Sequence, residues 1–452
     1  MKSFFSKTAL IYSMLFLIIA IHVFILTKLI FFPYPELFIY PYLTNHGLKP
    51  YSQILDQHFP GLLFLPINFN SLGMTTPEIA RAWSSVIVIL TQIMLFLIGR
   101  KILKSSTKAI FVNILFLIWQ PFFEGWVLWI DSFLPLLLLP AFYFLYRGRI
   151  FAAGILLGLA VIFKQTIIPL SLLVLIYIFW KTRSFKNSFR FLGGLLIPVV
   201  LMVVYLASIG VFSDFWYWTV IFNLTTFAQF GRGAVPTPAH FLRVLFVFGL
   251  PFLILKWIRL AEVQILLIFL IGALAGLSTR FDFVHFQPAL PFTLVAFVFV
   301  LGRLGKLGRL GIMSLYGLIL VWWLIIFYKG HLGDQVISFG LNTRELAVKI
   351  KDNTNPGEKI FVYGAQQHLY QMSDTLPAGD IFVFQFPWFM QVAGGRILEG
   401  IIKDKPRIVV SDREVLVENR KITDFARDID QYIQSNYQKI DSVGTAEILQ
   451  RK

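Results

Sequence analysis

The chain has 452 residues, 57% of them hydrophobic and only 14% charged, against roughly 25% charged in a soluble globular protein. That balance excludes a soluble enzyme as the whole molecule. Zero cysteines exclude disulfide frameworks, thiolate metal sites and cysteine nucleophiles, and the net charge of +16 must be located along the chain before it is read as a nucleic-acid signal.

Residues 1–328 are a series of apolar runs broken by short basic punctuation, the pattern of a chain that repeatedly crosses a hydrocarbon core of about 30 Å. Eleven spans are predicted, near 8–32, 80–98, 109–121, 132–146, 151–163, 166–180, 191–209, 241–255, 263–279, 288–301 and 310–328. The first is too long for a signal-peptide core and has no small-residue cleavage site, so it is expected to stay as an anchor. The runs on either side of Lys164 and Gln165 are short, and a re-entrant hairpin turning inside the membrane is one reading of them. Gly154-x-x-x-Gly158 and Gly272-x-x-x-Gly276 are expected to be helix-packing faces, because small residues let backbones approach in lipid. GRLGKLGRLG at 302–311 reads as a basic inner loop lying on anionic headgroups.

Charge fixes the expected orientation. Sixteen basic and 16 acidic residues follow position 328, so the whole excess lies in 1–328, as 24 basic against 8 acidic residues. With the N-terminus inside, 17 of those 24 fall in inner segments, as retention of Lys/Arg-rich short loops on the cytoplasmic side requires. Seven of the eight acids fall outside or at the outer membrane edge. An odd number of spans then places the C-terminal segment outside. Residues 341–452 have the composition of a small α/β domain: helices near 343–352, 397–403 and 422–432, and strands near 359–363, 407–410 and 446–449, predicting a largely parallel sheet.

The expected fold is therefore a polytopic α-helical membrane protein of about eleven transmembrane helices in 1–328, followed by an extracytoplasmic α/β domain in 341–452. Chemistry is expected on the outer side. The first outer loop, 32–79, is long and carries Glu36, Asp56 and His58; a second presents Glu124 and Asp131; a third, 213–240, carries Arg232; a fourth carries Arg280 and His285. Cations within or beside spans are costly, which singles out Lys164 and Arg280. Carboxylates beside such cations suit sugar transfer from a lipid phosphate. The attacking hydroxyl needs a base, whereas the departing phosphate needs only positive charge. His46, Asp56 and His58 are competent ligands for a divalent metal, at a spacing that is not diagnostic of one.

These residues also carry a family resemblance. Gly47, Pro50, Tyr51, Asp56, His58 and Pro60 form a G-x-x-P-Y…D-x-H-x-P stretch; Arg81 opens the second span and Asp131 the fourth. A G-x-x-x-G-L-A…K-Q element follows at 154–165, then Arg280 and His285 before a Pro-rich span. In this order they resemble the GT-C glycosyltransferases of the protein O-mannosyltransferase and lipid A aminoarabinose-transferase type, and particularly their bacterial glycosyltransferase relatives. The resemblance implies an inverting transfer of a sugar from a polyprenyl-phosphate donor to a hydroxyl on a lipid, glycan or protein acceptor at the outer face of the cytoplasmic membrane, with no nucleic-acid partner. It implies a carboxylate base, Glu36, Asp56 or Asp131, with His58, Arg81, Lys164, Arg232, Arg280 and His285 binding substrate. Where that family usually has an Asp-Glu pair, this chain has Pro35-Glu36. The alternatives are a transporter or flippase for a lipid or small anion, which should show internal repeats and paired broken helices, and a non-catalytic envelope assembly protein.

Overall fold

The computed structural model describes residues 2–230, 236–278 and 280–452, with the side chains of 2–7, Phe230 and Ser278 left aside. The chain divides into two compact units. The first comprises Met1–Phe32, Ala80–Met202 and Gly231–Gln335; the second comprises Pro33–Ile79, Val203–Phe230 and Val336–Lys452.

Among the described residues, seven helices are long and apolar enough to cross a membrane: Thr8–Lys28, Pro77–Leu103, Ser106–Gly125, Gln165–Thr182, Phe185–Ser208, Pro238–Trp257 and Lys306–His331. Four shorter apolar helices, Ile130–Tyr146, Ile150–Phe163, Ala261–Leu277 and Leu290–Leu301, complete a set that coincides one for one with the eleven expected spans. The fold is that of a multi-pass membrane protein. Its short helices have physical reasons. Leu290–Leu301 is buried on every face, as a helix apolar all round should be. Ile150–Phe163 stops because the Lys164 backbone is extended, at φ −155° and ψ 119°, before a 3₁₀ turn at Gln165–Ile167. Lys306–His331, in contrast, exposes Leu310, Leu318, Trp322 and Ile325, a surface that only lipid can solvate.

Gly154, Gly158 and Gly194 are packing contacts: a Cβ on any of them would strike backbone, Phe191 O, Leu195 O and Phe151 O respectively. Gly272 is pressed against Leu170 in the same way, whereas the nearest atom to a Cβ on Gly276 would be 3.6 Å away, an ordinary contact. Polar side chains also join helices of this unit. His22 Nε2 lies 3.0 Å from Gln120 Oε1, its Nδ1 lies 3.0 Å from Gln92 Nε2, and Asn113 Nδ2 donates to the Gln92 carbonyl at 2.7 Å. Each of these four is buried, so their mutual hydrogen bonds replace the water that lipid lacks.

The second unit is built on five strands: β1 Lys359–Tyr363, β2 Leu376–Pro377, β3 Ile408–Ser411, β4 Tyr437–Val443 and β5 Ala446–Arg451. Their order is β2-β1-β3-β5-β4. β1 runs parallel to both β2 and β3, while β3–β5 and β4–β5 are antiparallel. The sheet is thus mixed, correcting the expectation of a largely parallel one. The strands missed in the sequence are β2, only two residues long, and β4, whose solvent-exposed middle gives it no alternating pattern. β4 forms because a tight connection through Gly444, at φ +59°, folds it back on β5. The helix expected at 422–432 is two, Ile422–Phe425 and Arg427–Asn436.

The long 32–79 loop is structured. Helix Glu36–Asn45 buries Leu37 to Leu43. Leu55 N donates to Phe382 O and Phe382 N to Gln53 O, joining the loop to the C-terminal segment. Arg396 to Ser52 O, Tyr42 to Asp374 and Arg344 to Glu78 add further bonds. The 203–230 segment joins the same unit by stacking Phe222 on Phe389 at 5.2 Å and by an Asn223 Nδ2 hydrogen bond to Gln57 O.

Candidate active-site residues

In the first unit, Asp131, Lys164 and His285 converge. They lie on three separate stretches of chain and are 1%, 5% and 9% exposed. Lys164 Nζ donates to Asp131 Oδ2, and the His285 Nδ1 atom lies 3.1 Å from both Lys164 Nζ and Asp131 Oδ2. That one nitrogen either accepts from the ammonium or, protonated, donates to the carboxylate. The helix break puts Lys164 there: its extended backbone ends Ile150–Phe163 and frees the residue from the regular helical surface.

His285 sits on a 3₁₀ turn, Phe283–Phe286, held from two sides. The Val284 amide donates to Glu124 Oε2 at 2.9 Å, and Gln287 Nε2 donates to the carbonyls of Gln120 and Phe123. Glu124 itself has a left-handed backbone, φ 59° and ψ 36°, in the wide turn Pro121–Gly125. Arg243 lies 4.4 Å from the ring centres of both Phe122 and Phe283. Glu124, Arg243 and Gln287 thus shape the surroundings of the trio, and the sequence reading gave none of them a role. For Glu124 and Gln287 the signal was a charged or amide side chain on the same short outer loop as Asp131 or His285; for Arg243 it was a cation at the start of an apolar span.

Arg280 is ion-paired with its near neighbour Asp282 at 2.9 Å, both side chains about one-third exposed. Arg81 Nη1 donates to the carbonyls of Leu26 and Leu29, and its guanidinium lies 4.7 Å from the Phe31 ring centre. It fastens the end of the first membrane helix. Arg232 lies outside the described residues.

In the second unit a separate cluster forms around Asp56, which is 2% exposed. Tyr40 donates to Asp56 Oδ2 at 2.6 Å, while Oδ1 accepts from the His58 backbone amide at 2.7 Å and lies 2.9 Å from His58 Nδ1. One carboxylate therefore fixes the orientation of both aromatic side chains. Glu36 lies one helical turn before Tyr40, on the same helix face. Its Oε2 is buried with no hydrogen-bond partner among the described residues. Burial, with a smaller contribution from the Asp56 charge, pushes its carboxyl from 4.5 up to about 7. His46 is elsewhere engaged: its Nδ1 bonds Tyr42 O at 2.8 Å and its ring packs on the Tyr42 ring. Among the described residues, no group of three His, Asp or Glu is arranged to hold a metal ion.

With this architecture in view, the fold is one already seen in solved structures. Two structures of ArnT from Cupriavidus metallidurans share it, one in the apo state and one bound to undecaprenyl phosphate. Both superpose with a TM-score of 0.66, at 11% and 12% identity, covering 99% and 98% of this chain and 98% of each ArnT chain. At that identity the likeness is one of fold. No family model and no curated protein matches the sequence.

Proposed function

We propose that this protein is an inverting glycosyltransferase that moves a sugar from a polyprenyl-phosphate donor to a hydroxyl acceptor on the outer face of the cytoplasmic membrane. The observation that carries the reading is Lys164, an ammonium buried in the apolar helical unit and held by Asp131 and His285. A cation is expensive there, and its default explanation is a function that needs positive charge. The match to ArnT over nearly the full chain, in one case with undecaprenyl phosphate bound, supports a lipid phosphate as the species that uses it.

In this reading the acceptor hydroxyl loses its proton to a carboxylate and its oxygen attacks the anomeric carbon. The bond from that carbon to the phosphate oxygen breaks, and the electron pair leaves with the lipid phosphate. Lys164, with His285 and Arg280, supplies positive charge to the departing phosphate. Asp131, already committed to two partners, holds the Lys164 side chain in place. Glu36, in the second unit, has a proton affinity that suits a base near neutral pH.

The test is reconstitution in proteoliposomes with a radiolabelled polyprenyl-phosphate sugar. The expected result is consumption of the carrier-linked sugar, reduced about 100-fold or more by Lys164→Met and by Glu36→Gln. Movement of the intact lipid across the bilayer without cleavage of the sugar–phosphate bond would favour a flippase instead.

A further inference from the structure

Topology alone calls for basic residues at the ends of membrane helices, but two of them here line one cavity. A groove of about 230 Å³ opens among the helices Ser106–Gln120, Leu290–Leu301 and Lys306–His331 of the first unit. Phe111, Val298, Leu301 and Met313 give it an apolar wall, and Lys108 and Arg309 contribute two cations. It is separate from the trio of Asp131, Lys164 and His285. Leu290–Leu301 starts shortly after His285 and ends at the groove, so its 12 residues set the two apart by roughly 18 Å along the helix axis.

The two cations are held in place without being neutralised. Arg309 Nε donates to Leu301 O at 3.0 Å and Nη2 to Leu304 O at 3.2 Å, which fixes the guanidinium on the turn and leaves Nη1 uncommitted among the described residues. Lys108 reaches across to Gly302: a Cβ on that glycine would lie 2.7 Å from Lys108 Nζ, so the missing side chain makes room for the ammonium. Every aspartate and glutamate of the chain is among the described residues, and none of them pairs with Lys108 or Arg309. Both cations also sit within four residues of a helix N-terminus, where the macrodipole disfavours positive charge, and neither first turn holds an acid to offset it. Insertion of the chain requires basic residues in these loops. It does not require them on the wall of one apolar groove, at the helix ends that repel them.

The lining selects its occupant. Two cations call for an anion, and the apolar wall calls for a hydrocarbon chain joined to it, because a soluble anion would leave Phe111 and Val298 facing water. Lys306–His331 exposes Leu310 and Met313 beside the groove, a surface suited to lipid. The volume is below the roughly 300–1,000 Å³ that encloses a whole drug-sized ligand, so the groove takes part of one chain. A headgroup carrying its own ammonium would set a third cation beside Lys108 and Arg309. We propose that the groove binds an anionic glycerophospholipid, its phosphate on Lys108 and Arg309 and one acyl chain along Phe111, Val298 and Met313. The orientation expected from the charge pattern puts this site in the cytoplasmic leaflet, whose surface is negative.

The test uses the full chain in phosphatidylcholine nanodiscs that contain a minor fraction of phosphatidylglycerol with a photoreactive diazirine in one acyl chain. Crosslinked residues are read by peptide mass spectrometry. Labelling is expected in 107–113, 298–302 and 309–313, and should fall about fivefold in Lys108→Gln, the effect of removing one cation that faces an anionic lipid. Gly302→Leu, at a backbone φ of −66° that accepts a side chain, puts carbon where the ammonium lies and should lower labelling as much. Arg309 is left intact because it also ties the 301–304 turn. Lys186→Gln removes an exposed cation outside the groove and should change nothing. Equal labelling of the unaltered chain by the matching phosphatidylcholine probe, or undiminished labelling in both Lys108→Gln and Gly302→Leu, would overturn the site. So would displacement of the probe by soluble glycerol phosphate, or by a polyprenyl phosphate more readily than by unlabelled phosphatidylglycerol at equal mole fraction. The two-lipid comparison needs no variant, and no arm depends on sugar transfer, so failure here leaves the transferase reading standing.

Discussion

Glu36 shows how one buried carboxyl sets a pH dependence. As a base it must be ionised, so kcat/KM should climb about tenfold per pH unit below about 7 and level off above it, a limb that Glu36→Gln removes along with most of the activity. The same shift predicts a stability effect of definite sign. Between 4.5 and about 7 the folded protein holds a proton that the unfolded chain has released, so the ionised form is the costly one. That cost is fully present above about 7 and fades as the pH falls toward 4.5. Glu36→Gln should therefore stabilise the protein at pH 8 by on the order of 2 kcal/mol, with no difference left near pH 4.5, as read by thermal unfolding in detergent. Lys164 and Asp131 obey a different rule. Asp131→Asn or Lys164→Met alone leaves one buried charge without its partner and should cost about 3–5 kcal/mol. The double variant should recover most of that stability while turnover stays lost, which separates the structural role of the pair from its chemical one.

Among the elements, the contact of Ile150–Phe163 with Phe185–Ser208 depends on glycines where one backbone meets another. A side chain at Gly158 has no flexible neighbour to displace, because it meets the Leu195 carbonyl. Gly158→Leu should destabilise the protein by about 3 kcal/mol and broaden its elution in detergent. Gly305→Ala, where the added Cβ meets nothing within 4 Å, should change neither. The break at Lys164 is the other decision made at this level. The apolar runs flanking it were visible as two short spans, but the extended backbone that turns the ammonium toward Asp131 depends on contacts from stretches 33 and 121 residues away.

For the whole molecule, orientation is the property to test, and the chain suits the experiment because it has no cysteine. Lys186 and Lys351 are both exposed, and the charge pattern places the first inside and the second outside. A membrane-impermeant maleimide should label Lys351→Cys in intact cells and Lys186→Cys only after permeabilisation; the reverse pattern would invert the topology.

The sequence by itself determined the eleven apolar helices and the uneven distribution of charge, because hydropathy and charge are properties of each residue summed over a short window. It also isolated Asp131, Lys164 and His285, since ionisable side chains beside apolar spans are rare enough to be seen one at a time. It did not join them. That joining, the parts played by Glu124 and Gln287, and the raised proton affinity of Glu36 belong to the tertiary structure. Burial and proximity arise between segments far apart in the chain and leave no periodic trace within any one of them. The sheet makes the same point: β1, β3 and β5 announced themselves by their buried apolar runs, whereas β4, polar through its middle, exists only because β5 offers it an edge.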